Sequence, residues 1–202
     1  MPAAIKVTIE QYLHEGLLAM TPVYDNGDRA EVLTRAARHK DPRTLTWLLR
    51  KIAAYYKLDL MALRRYYREY LELNHHISLP VNENLVLLPL KVRQAAAPGE
   101  VTIGFVSMQE IDAVLPPEEG TPYLSGIRFK NGALIGICNN AGKVKQRINE
   151  GKEVHLDFLK RSRQTICFTG TSKEKVREAV VNTLPNCDCF LRELFLERCG
   201  ID

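Results

Sequence analysis

Between residues 139 and 147 the chain reads "NNAGKVKQR". Asn139, Asn140 and Gln146 offer amide donors and acceptors of the kind that match base edges. Lys143, Lys145 and Arg147 offer cations that neutralise phosphates and release their counterions. A hydrolytic pocket would place acids, histidines or a nucleophile there instead. A second cluster, "LKRSR", adds Lys160, Arg161 and Arg163. A third, Arg64, Arg65 and Arg68, is interleaved with tyrosines in "ALRRYYREY", and the planar guanidinium fork suits a phosphate or a groove. Each cluster has a plainer alternative. The 139–147 segment would also serve as a solvent-facing cap on a hairpin, and the 64–68 arginines could be solvated or paired with Glu69 and Glu72.

Other chemistry is thinner. Gly170, Thr171 and Ser172 stand between an expected strand and a helix start, where free N–H groups could hold an anion. The segment lacks P-loop spacing, and a plain N-cap explains it. Cys187, Cys189 and Cys199 have no partner pair at zinc spacing and read as buried or idle thiols. His75-His76 has no acidic ligand nearby. No Ser/His/acid arrangement or paired-carboxylate motif stands out, so the reading is of a non-enzyme without cofactor or metal.

The totals fit this. The chain has 202 residues, 46% of them hydrophobic, enough to bury a core. Its net charge of +4 permits a nucleic-acid partner without demanding one. No apolar run approaches the roughly 20 residues that span a bilayer, and the first residues lack a signal-peptide core. The odd count of five cysteines argues against a secreted disulfide framework. A cytoplasmic protein with no membrane contact is expected.

The elements that must position these clusters follow from local pattern. Ile5, Val7 and Ile9 alternate like a strand. Asp25-Asn26-Gly27 predicts a hairpin between strands at 20–24 and 29–34, because Asn-Gly supplies the positive φ angles of a two-residue turn. Leu45, Leu48, Leu49, Ile52 and Tyr56 recur at helical spacing. Asp59 then caps a second helix from Leu60 to about Leu73, with Leu63, Tyr67, Tyr70 and Leu71 inward. This pair can be laid over a helix-turn-helix template, with Ala53 at the crossing and Lys57 where the turn usually has Gly.

After "NHHISLP" the texture turns to β. Strands are expected at 84–92, where Pro89 marks an edge or a bend, and from 101 into a turn or short helix by 115. The segments 123–129 and 133–138 form a hairpin around Lys130-Asn131-Gly132, and 153–159 and 164–170 are further strands. Helices follow, the first with a Thr171/Glu174 capping box and the last stopped by Gly200. The whole reads as α+β: an N-terminal hairpin and helix pair, a mainly antiparallel β region and C-terminal helices. A boundary is expected between 1–75 and 76–202.

The order of segments resembles the competence transcription factor family, bacterial DNA-binding activators. "AMTPVYDNGDRAEVL" is similar to that family's opening strand and hairpin. "TLTWLLRKIAAYYKLDLMALRRYY" stands at its helix with basic residues. "HISLPVNENLVLLPLKVR" resembles its Pro-containing strand, with Leu90 for the usual Thr. "GFVSMQEIDAVL" and "GIRFKNGALIGICNNAGKVKQRI" resemble its later segments, with Phe105 for a Trp and Glu110 for a His. The likeness runs over about residues 19–150; a looser one joins the β region to LytTR-type DNA-binding domains. It implies transcription regulation in competence, binding of double-stranded DNA, often in the A·T-rich minor groove, and a regulatory protein partner. Oligomeric state is left open. The competing reading is a protein–protein interaction module without nucleic acid, with Tyr66, Tyr67 and Tyr70 as its contact face.

Overall fold

The computed structural model describes residues 8–24, 27–72, 76–95 and 97–168, with side chains as far as Ser162. By compactness the chain divides into residues 1–157 and 158–202. The architecture is α+β. In chain order come α1 (Ile9–His14), β1 (Leu17–Tyr24), β2 (Asp28–Thr34), β3 (Arg38–Asp41), α2 (Leu45–Tyr55), α3 (Leu60–Tyr70), β4 (Leu79–Asn82) and β5 (Leu85–Lys91). Then follow β6 (Ile103–Ser107), β7 (Ile111–Leu115), β8 (Ser125–Phe129), β9 (Leu134–Ile137) and α4 (Ala141–Phe168).

Six strands form one antiparallel sheet in the order β3-β2-β1-β6-β5-β4, and β7-β8-β9 form a second of three. Strands from either side of residue 75 therefore share a sheet. Both faces of the large sheet are covered, so β5 reads as a continuous apolar run rather than an alternation. Met20, Val32, Leu79 and Leu87 face the helical layer, where Tyr12, Leu48 and Ile52 pack. Val86, Leu88, Leu90 and Val106 face the other way, onto Ile127, Phe129, Ile137 and Val144 of the small sheet and α4. A bulge between Leu17 and Ala19 shifts the register of β1.

Local chemistry fixes the ends of the elements. Thr44 caps α2 by accepting from Trp47 N–H, and Asp59 caps α3 by accepting from the N–H groups of Met61 and Ala62. Lys57 takes a left-handed φ of 56°. Its N–H donates to Ala54 O, while Leu58 N–H reaches back to Ala53 O. This is the helix-ending motif that usually employs Gly. Ala53 is buried.

Pro89 lies where β4 has already ended, since the β4–β5 pairing stops at Leu79 opposite Leu87. Alternation along the ladder turns its missing donor away from β6. Two residues on, Lys91 is paired on that same side: Cys138 N–H donates to its carbonyl at 2.7 Å, and the Asn139 side-chain oxygen accepts its N–H at 2.7 Å.

Some expectations are corrected. Ile9 begins a helix capped by Thr8 rather than continuing a strand; residues 1–7 lie outside the described residues. The strands expected at 153–159 and over 164–168 are helix α4. Val154, Leu156 and Phe158 alternate locally, but the longer stripe of Val144, Gly151 and Val154, each buried, has helical spacing and decides the outcome. Tyr70 is 49% exposed rather than inward. The helices and capping box expected after residue 170, with Cys187, Cys189, Cys199 and Gly200, lie outside the described residues, as does His75.

Candidate functional site

Asn139, Asn140, Gln146 and Arg147 are engaged within the fold. Asn139 accepts from Lys91 through its side chain, and its backbone carbonyl accepts from the Ser125 hydroxyl. Asn140 caps α4 by accepting Lys143 N–H at 2.8 Å. Gln146 donates to Glu150. Arg147 is buried, donating to the His76 carbonyl and to Glu150. Its position between Val144 and Gly151 on the inward stripe was the signal for that burial. Lys143 and Lys145 remain exposed. Lys160 and Arg161 lie exposed on the part of α4 within the second unit, not between strands. The Arg163 side chain lies outside the described ones.

Five arginines of the sheet and its loops are held by acids. Arg35 pairs with Glu110, Arg38 with Glu31, Arg93 with Glu100 and Arg128 with Asp112. Arg43 pairs with Asp41, a carboxylate 1% exposed that also accepts from the Tyr12 hydroxyl at 2.8 Å. Arg43 also stacks over Trp47 at 4.4 Å, with Lys51 at 5.4 Å from the same ring. Burial pushes the Asp41 carboxyl up, and hydrogen bonds from Arg43 and Tyr12 outweigh it and hold it below the usual carboxylate range. Glu15 accepts from Thr34, Gln11 and His39, and those hydrogen bonds lower its pKa.

The helix pair differs. Arg50 on α2 and Arg64, Arg65 and Arg68 on α3 form no ion pair among the described residues, with neither Glu69 nor Glu72 reaching them. Arg64 and Arg68 share a helix face at a spacing of one turn. Partial burial and the repulsion of Arg68 and Arg50 hold the Arg64 guanidinium below its ordinary pKa. Arg65 is exposed and exerts a Coulombic pull on Asp59. Among the tyrosines, Tyr67 is buried with Ile77 and Val154, and Tyr66 stacks on half-exposed Tyr70 with ring centroids 5.9 Å apart.

Arg64 and Arg68 also border an open groove of about 600 Å³. Pro89, Ile103 and Phe105 of the large sheet line it on one side, and its helical wall includes Leu45, Thr46 and Leu49. Sequence reasoning singled out neither Arg50 nor this groove, because the β6 residues that floor it are remote in sequence from both helices.

Among the described residues there is no group of His, Cys, Asp and Glu that could hold a metal ion, and no helix long and apolar enough to cross a membrane. No family model, curated protein or solved structure matches the chain.

Proposed function

We propose that this protein is a cytoplasmic, DNA-binding transcriptional regulator that grips the phosphate backbone with the arginines of α2 and α3. The observation that carries the reading is the unequal pairing of its arginines. Arg35, Arg38, Arg93 and Arg128 sit on carboxylates, while Arg64 is repelled by Arg50 and Arg68 and none of these three forms an ion pair among the described residues. Clustered like charges without counterions are a cost to the isolated fold that a polyanion relieves. Exposed Lys143 and Lys145 add cations elsewhere in the same unit. The resemblance to the competence transcription factors extends the proposal from nucleic acid in general to double-stranded DNA and transcription control.

The test is a titration of mixed-sequence duplex DNA at two or more salt concentrations. Binding should weaken steeply with salt, and Arg65→Gln should reduce the log–log slope by about 0.9, the loss of one phosphate contact. Absence of binding at low salt, or an unchanged slope when Arg50, Arg64, Arg65 and Arg68 are all replaced by Gln, overturns the proposal. The first of those results moves the reading to a protein partner at the Tyr66–Tyr70 face.

A further inference from the structure

The groove between the helix pair and the sheet differs from a phosphate-binding surface. Its floor and much of its wall are apolar: Pro89, Ile103 and Phe105 below, Leu45 and Leu49 beside. Phe105 and Ile103 are only partly covered in a sheet whose other faces are closed over. At the rim stand Arg64 and Arg68, neither with a carboxylate partner among the described residues. The volume of about 600 Å³ falls within the usual range for small-molecule pockets.

We propose that this groove binds a small amphipathic carboxylate, its apolar tail on Ile103 and Phe105 and its head group on Arg64 and Arg68. Charge complementarity selects the occupant. An uncharged apolar ligand would leave two like-charged guanidinium groups on the groove unneutralised, and a bare anion would leave the apolar floor wet. A carboxylate accepts guanidinium N–H groups in a fork-to-fork geometry, and an aliphatic tail removes the sheet's exposed surface from water. Arg64 and Arg68 belong also to the proposed phosphate-binding face, so the acid and DNA would compete, each weakening the other by the same factor. The binding of the acid itself does not depend on the DNA reading.

The experiment uses the full chain without nucleic acid. Octanoate, hexanoate, acetate and octanol are titrated while backbone amide shifts are followed by NMR. Octanoate is expected to bind saturably and to shift residues of α3 and β6. Hexanoate should bind roughly fifteenfold more weakly, since each of its two missing methylenes contributes about fourfold, and acetate should show no saturation. Octanol should bind more weakly than octanoate, a comparison that needs no variant. Arg64→Gln with Arg68→Gln should weaken octanoate by at least about tenfold in a folded protein. Equal affinity for octanol and octanoate, unchanged affinity in the double variant, or no saturable binding of octanoate overturns the proposal. With octanoate bound, failure to reduce DNA affinity overturns only the competition, and absence of DNA binding altogether leaves the acid site standing.

Discussion

The Asn139 side chain meets the Lys91 backbone as a strand would. Its amide oxygen accepts the Lys91 N–H at 2.7 Å, and the neighbouring Cys138 N–H returns a bond to the Lys91 carbonyl. A residue whose chemistry suits a base edge is thus employed in joining the small sheet to the large one. Asn139→Ala leaves the partly buried Lys91 donor unpaired, and a loss of about 1–3 kcal/mol is expected. Asn139→Asp keeps an acceptor and should lose less. Urea denaturation of the two variants checks this; equal stability of Asn139→Ala and the parent would contradict it.

Lys57 adopts φ 56° in a helix-ending position where Gly is the usual residue. The left-handed region costs a residue with a Cβ roughly 1–2 kcal/mol, and glycine's greater freedom in the unfolded chain returns part of that. Lys57→Gly is therefore expected to raise stability by up to about 1 kcal/mol, read as a higher denaturation midpoint at unchanged m-value.

Gly151 lets α4 approach the large sheet. A Cβ there would lie 2.4 Å from Leu88 Cδ2 and 2.9 Å from Met108 Sδ. Both are side-chain ends that can shift for one methyl, and alanine adds about 1 kcal/mol of helix propensity. Gly151→Ala should be close to neutral. Gly151→Val brings more volume against fully buried Leu88 and should lose about 1–3 kcal/mol. Thermal melts of the pair separate packing from propensity.

Acid should destabilise this fold through Asp41 and Glu15. Their folded-state pKa values are depressed, so the stability they contribute is present above the unfolded value of about 4 and is lost as pH falls through the folded values. The melting temperature is expected to fall between about pH 5 and pH 2. Asp41→Asn should flatten that decline, because the group that titrates there is gone. An acid limb unchanged by Asp41→Asn would assign it to other carboxylates.

Much of the fold was legible where its determinants were local. The β1–β2 pairing, the turn at Asn131-Gly132, the Asp59 cap and the α2 stripe each depend on residues within a few positions of one another, while Asp25 and Asn26 themselves lie outside the described residues. Strands β3, β4 and β7 were missed because each is only four or five residues long and takes its place from a neighbour; 111–115, expected as a turn or short helix, is strand. The stretch at 153–159 misled because period two held over its first six residues while the helical stripe needed more than ten to show. Of the candidate site, the α3 arginines were visible as a cluster. Their lack of partners was not, because it depends on where acids distant in sequence end up. Arg147 was readable as inward from its stripe, but its bond to the His76 carbonyl depends on the fold.

Pro89 closes a vulnerable margin. Along β5, strand β4 occupies the outer side near Leu87, Cys138 and Asn139 occupy it at Lys91, and between them stands a ring with no hydrogen to give. An incoming peptide would find no donor there on which to start a rung. Intermolecular sheet growth, the usual hazard of such an apolar strand, is discouraged at this margin, where a docking backbone meets an acceptor but no donor.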